Sequence, residues 1–175
     1  MDRIEQLLRA AGWRPGRRVD TSEAERAFAE RRFPVTPAAL AALREFSGLT
    51  VKRPDELGGV LFDGVAAAME TELGWFDRYN QAEGHSFTPI ADYGPMLIMV
   101  DEAGGVWGAS DDVYGRLGDT VPEALDSTLF YDPTRPGLDR HLTLDAEHFA
   151  YLDRVRAAGR RERARRGWWK HTGGR

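Results

Sequence analysis

The sequence predicts an α+β fold: a single domain with an antiparallel or mixed sheet and helices packed mainly on one face. Three observations lead there. Helix-period segments come first, and strand-period segments follow with one helix among them, without the regular alternation of a parallel doubly wound sheet. The segment Asp101-Glu102-Ala103-Gly104-Gly105 places two glycines between two apolar strands, which suits a tight antiparallel return. The length, 175 residues with 42% hydrophobic, allows one core and an appendage rather than two full domains.

Each element has a local reason. Ile4, Leu7, Leu8 and Ala11 recur at helical spacing over 2–11, and Gly12 stops that helix before a Pro15-Gly16 turn. Asp20 or Ser22 caps a second helix to about Arg32, each with a glutamate three residues on, and Ala24, Ala27 and Phe28 face inward. Thr36 caps a third helix, with Pro37 at its first position, where a missing N–H is harmless. Leu40, Leu43 and Phe46 form its apolar face, and Gly48 ends it. Residues 49–51 and 60–62 are short strands, and 65–82 reads as one helix with Met69, Leu73 and Phe76 inward. Residues 87–93, 96–100 and 106–109 are strands; Trp107 fits either face of the sheet. Thr120 and Glu123 form a capping box around Pro122, so a helix runs to about Phe130. Residues 132–142, with Pro133, Pro136 and Gly137, read as a linker, and 143–175 as a basic helix and tail.

The formal net charge of −4 hides a strong polarity along the chain. Residues 1–54 carry net +4, residues 55–132 net −14 with only Arg78 and Arg116 as cations, and residues 153–175 net +7. The middle of the chain therefore repels nucleic acid and attracts basic surfaces, while the tail does the reverse. The N-terminal stretch MDRIEQLLRAAGW has no apolar signal-peptide core, and no apolar run is long enough to span a bilayer. The expectation is a cytoplasmic protein that does not engage membranes.

Catalytic signatures are missing from the sequence. There are no cysteines, so thiol nucleophiles, disulfides and Cys-based metal sites are excluded. The chain has no phosphate-binding loop, no HExxH and no G-x-S-x-G elbow. His85, His141, His148 and His171 lack metal-ligand spacing, and no cofactor is expected. The pairs Asp101-Glu102 and Asp111-Asp112 are adjacent in sequence, and neighbours in a strand point to opposite faces, so they read as surface carboxylates rather than a cation site. Trp75, Phe76 and Tyr79 suit core packing; Trp168-Trp169, after the arginines of the tail, dock back on the domain, meet a partner or are disordered.

Several landmarks together resemble a known family. They are Gly12-Trp13-Arg14-Pro15-Gly16-Arg17-Arg18-Val19-Asp20 after a short helix, Phe33-Pro34-Val35-Thr36-Pro37 leading to Phe46-Ser47-Gly48-Leu49, and Pro89-Ile90-Ala91-Asp92-Tyr93-Gly94. The series continues with Leu97 to Glu102, Gly104-Gly105-Val106-Trp107-Gly108 and Gly118-Asp119-Thr120-Val121-Pro122-Glu123. In order and spacing these resemble the third group of the SUKH superfamily of bacterial toxin-immunity proteins over residues 1–131, with Trp107 where the group usually has tyrosine. The resemblance implies one α+β domain without a catalytic centre, encoded beside a polymorphic toxin whose toxic domain it binds and blocks. Many such toxins are nucleases, and a nuclease presents cations to phosphate. No residue-level site is carried across, because the family varies its binding face.

The residues themselves support an inhibitor that presents carboxylates to a basic partner. Asp101, Glu102, Asp111, Asp112 and Asp119, with Asp92 nearby, are the candidate partner-binding residues. The alternative is a nucleic-acid-associated regulator acting through residues 153–175. A small hydrolase with an unrecognised site ranks third.

Overall fold

The computed structural model describes residues 2–130 and 137–142. The expectations for most of the linker and for residues 143–175, including the tail helix, Trp168-Trp169, His148 and His171, lie outside the described residues.

Three helices open the chain: α1 (Arg3–Ala10), α2 (Ser22–Arg31) and α3 (Pro37–Phe46). Ile4 and Leu8 bury the stripe of α1, and Ala24, Ala27 and Phe28 that of α2. The start of α2 differs slightly from expectation. Thr21 is the capping residue, and Asp20 Oδ1 reaches over it to accept from the Ser22 N–H at 3.0 Å. In α3, Thr36 Oγ1 accepts from Ala39 N at 3.1 Å, as the Thr-Pro pair predicts. Ala39 rather than Leu40 joins Leu43 and Phe46 in the core.

Among the described residues, the sheet has seven antiparallel strands in sequential order: β1 (Thr50–Val51), β2 (Val60–Leu61), β3 (Thr88–Tyr93), β4 (Met96–Val100), β5 (Val106–Ser110), β6 (Val113–Gly118) and β7 (Arg140–His141). β6 and β7 add to the strands expected, and β7 draws residues 140–141 of the anticipated linker into the sheet. Glycine makes β6 possible. A Cβ on Gly115 would collide with the carbonyl oxygen of Gly137, which crosses that face.

Helix α6 (Val121–Leu129) follows β6 and packs on β5 and β6, with Thr120 Oγ1 accepting from Glu123 N at 3.3 Å. Glu123 answers by accepting from Asp119 N, one residue before the expected partner.

The middle of the chain departs most from expectation. Residues 65–82 form two helices rather than one: α4 (Gly64–Glu70), which packs on β3, and α5 (Leu73–Glu83). Thr71 and Glu72 between them are extended, with ψ of 124° and 120°. Thr71 is buried, and its carbonyl accepts from Arg31 on α2 at 3.0 Å, which holds the break open. The break turns Met69 and Leu73 outward, to 54% and 37% exposure, and only Phe76 of the expected apolar stripe stays inside. Phe76 meets Phe33 edge-on at 4.8 Å, and Phe33 in turn meets Phe28 at 6.2 Å.

One cross-strand row organises the face under α5. The registers Thr50–Leu61, Leu61–Asp92, Asp92–Leu97, Leu97–Ala109, Ala109–Tyr114 and Tyr114–Arg140 place these residues side by side on one face across all seven strands. α5 lays Tyr79 on Tyr114, with ring centres 5.5 Å apart, so Ala109 and Tyr114 are buried. Toward β1 the cover runs out: Asp92 and Leu97 are half-buried, and Leu61 is exposed.

Candidate partner-binding surface

The antiparallel order distributes the six predicted carboxylates between the two ends of the sheet. The β3–β4 and β5–β6 turns share one end, bringing Asp92, Asp111 and Asp112 together there. The β4–β5 turn and the end of β6 share the other, with Asp101, Glu102 and Asp119. The five residues of β5 separate the two groups by about 15 Å, so they do not form one patch.

At the second end the carboxylates are occupied. Asp101 is 1% exposed and belongs to the interior, a correction to its placement among surface candidates. Its Oδ1 accepts from Ala103 N (2.9 Å) and Gly105 N (2.8 Å), and its Oδ2 accepts from the Trp107 indole N–H (2.9 Å). That bond also fixes Trp107, which packs on Phe87 with ring centres 5.4 Å apart. Glu102 is exposed but accepts from Ser86 N at 2.8 Å and lies 3.1 Å from His85 Nδ1. The backbone N–H of Ser86, its own backbone N–H and His85 hold its carboxyl well below the ordinary range, at about 2. Asp119 accepts from Arg116 at 2.7 Å.

The first end is different. Asp111 and Asp112 form the two-residue β5–β6 turn, with Asp111 at φ +52°. Asp and Asn tolerate that left-handed backbone because their short side chains solvate it locally. The Tyr79 hydroxyl donates to the Asp111 carbonyl and so ties α5 to the turn. Asp112 lies 3.5 Å from His141 Nδ1. Between the α4–α5 break and the two turns lies a hollow of about 260 Å³. Its walls include Glu70, Glu72, Asp92, Asp111 and the stacked pair Trp75–Tyr79, with no lysine or arginine among the described lining residues. Glu70 and Glu72 escape sequence reasoning because Met69, Leu73 and Phe76 keep helical spacing across the break. The available signal is Thr71 and Gly74, two poor helix formers within one turn of each other.

Asp92 is the most perturbed carboxylate here. Burial raises its pKa from 3.8 to about 6, and repulsion from Glu70 and Asp63 adds to the effect. No hydrogen bond or ion pair among the described residues engages its carboxylate or that of Asp111. With the folded pKa above the unfolded one, the stabilising contribution is complete below pH 3.8 and is lost as pH rises through about 6. Asp92→Asn is therefore expected to flatten the stability profile between those limits. It should also raise stability at pH 7 by about 1 kcal/mol, the full shift being discounted for solvent screening at a half-exposed group. Urea denaturation of both proteins at several pH values measures this; a variant less stable than the parent at pH 7 contradicts it.

The structure is thus a small α+β domain with a carboxylate-lined hollow at one end of its sheet. The family model described as SUKH-3 immunity protein matches residues 1–131, and the chain belongs to that family. No curated protein and no solved structure matches it. Among the described residues, no helix is long and apolar enough to cross a membrane.

Proposed function

We propose that the protein neutralises a cognate toxin in the cytoplasm by binding its toxic domain, without a catalytic step, and that this domain is basic, as a nuclease is. Membership of the immunity family supports the neutralising role. The observation that carries the choice of surface is the contrast between the two ends of the sheet. Among the described residues, the carboxylates of Glu102 and Asp119 already have partners, whereas those of Asp92 and Asp111 have none and line a hollow whose described walls carry no lysine or arginine. Unpaired carboxylates attract a cationic partner at long range and gain most when it supplies the missing charge.

The test uses the toxin domain encoded beside this chain. Co-expression is expected to rescue cells from the toxin, and the purified proteins to associate faster at low salt. Asp111→Asn together with Asp112→Lys removes charge while respecting the backbone at residue 111. This double variant is expected to slow association about tenfold, measured by stopped-flow mixing. Rescue without any physical complex would point instead to an enzymatic or regulatory role.

A further inference from the structure

Residues 137–142 lie beyond residue 131, where the family match ends, yet they grip the sheet from both faces. Gly108 of β5 and Gly115 of β6 are cross-strand partners, and side by side they leave a shallow trough. Residues 137–139 fill it. A Cβ at Gly115 would collide with the Gly137 carbonyl oxygen and lie 2.9 Å from Asp139 Oδ1, and one at Gly108 would lie 3.0 Å from Leu138 Cδ2. The chain then pairs with the edge of β6, His141 opposite Val113 and Arg140 opposite Tyr114. Tyr114 points to the face opposite Gly115, and Arg140 shares its side. The Arg140 guanidinium donates to Glu83 at the end of α5, which also accepts from the Tyr114 hydroxyl at 2.9 Å, and it stands 5.1 Å from the centre of the Trp107 ring. Leu142 is buried and its N–H donates to the Asp112 carbonyl at 2.8 Å. The segment thus wraps the edge of β6, from the glycine trough on one face to Glu83 on the other.

We infer that residues 137–142 are a clasp with two states, seated and released, which sets the pose of the Asp111-Asp112 turn. Seated, the clasp grips the turn from the side of Leu142, while Tyr79 of α5 grips it through the Asp111 carbonyl. Its hold is lighter than that of the domain around it. The ladder is two residues long, and the Arg140 and His141 side chains are 46% and 69% exposed. Ion pairs at such exposure contribute little. A segment held in this way opens before the rest of the fold. Release uncovers the trough and the outer edge of β6 and takes one grip off the turn. Whatever ligand favours the seated turn therefore also tightens the clasp.

Amide exchange of the full-length protein, followed residue by residue by NMR, tests this without any partner. In the parent, the Leu142 N–H is expected to exchange at least about tenfold more slowly than a free peptide and at least about tenfold faster than the core amides of α3. Gly115→Ala adds a methyl group whose three nearest atoms all belong to Gly137 and Asp139. Arg140→Gln releases Glu83 from an exposed position and keeps the test open should the Gly115 variant not fold. Each is expected to speed Leu142 exchange about tenfold, to shift the backbone resonances of Asp111 and Asp112, and to leave α3 unchanged. A parent Leu142 that exchanges at the free-peptide rate means that the clasp is not seated. Leu142 and α3 exchanging together means that the segment is an ordinary part of the core. Unchanged Leu142 exchange in both variants means that neither contact holds it, and unmoved Asp111 and Asp112 resonances mean that the turn keeps its own pose. Any of these results overturns the inference.

Discussion

Replacing Asp101 with alanine is expected to destabilise the protein by about 3 kcal/mol or more, although a carboxylate in a hairpin turn looks dispensable. Its two oxygens accept from the Ala103 and Gly105 backbone N–H groups and from the Trp107 indole, all at 2.8–2.9 Å. The site is almost fully enclosed. Removing the acceptor strands three donors where water has little access, and each costs on the order of 1 kcal/mol or more. The turn is built around this carboxylate. Asp101 N donates to the Gly105 carbonyl, and a Cβ at Gly105 would lie 2.6 Å from Asp101 Oδ2. Asp101→Asn keeps one acceptor oxygen and should fall between the parent and the alanine variant. Chemical denaturation measures all three; a loss below about 1 kcal/mol for alanine would mean that water replaces the carboxylate.

Phe76→Ala is expected to lose about 3–5 kcal/mol, the range for a large aromatic removed from a close-packed interior. Phe76 has no exposed surface, and its edge-on contact with Phe33 joins α5 to the residues that follow α2. Phe76→Leu retains much of the volume and should lose roughly half as much. The same denaturation curves decide the matter.

Locally encoded features of the fold were legible. Thr36-Pro37 and Thr120-Val121-Pro122-Glu123 mark helix starts through contacts within four residues, and the structure shows both. The antiparallel hairpin at residues 101–105 follows from its glycines. Features set by distant contacts were not legible. The α4–α5 break depends on Arg31 reaching the Thr71 carbonyl forty residues away, and no periodicity in 65–82 reveals it. β6 carries two glycines and an arginine, which dilute its alternation, and the need for Gly115 arises from Gly137. Among the candidate residues, acidity was legible and accessibility was not. Asp101 and Glu102 are neighbours in sequence, yet one lies in the core and the other on the surface, because the β4–β5 turn folds around the Asp101 carboxylate and leaves Glu102 outside.

Among the described residues, the outermost strands, β1 and β7, are two residues long. Such stubs offer little template for a foreign strand to extend the sheet, so open-ended stacking into fibres is discouraged. A protein that displays leucine and methionine in the open needs such protection. On the proposed reading, the partner is read by side chains rather than by main-chain pairing, and point substitutions retune that reading while the scaffold beneath stays intact.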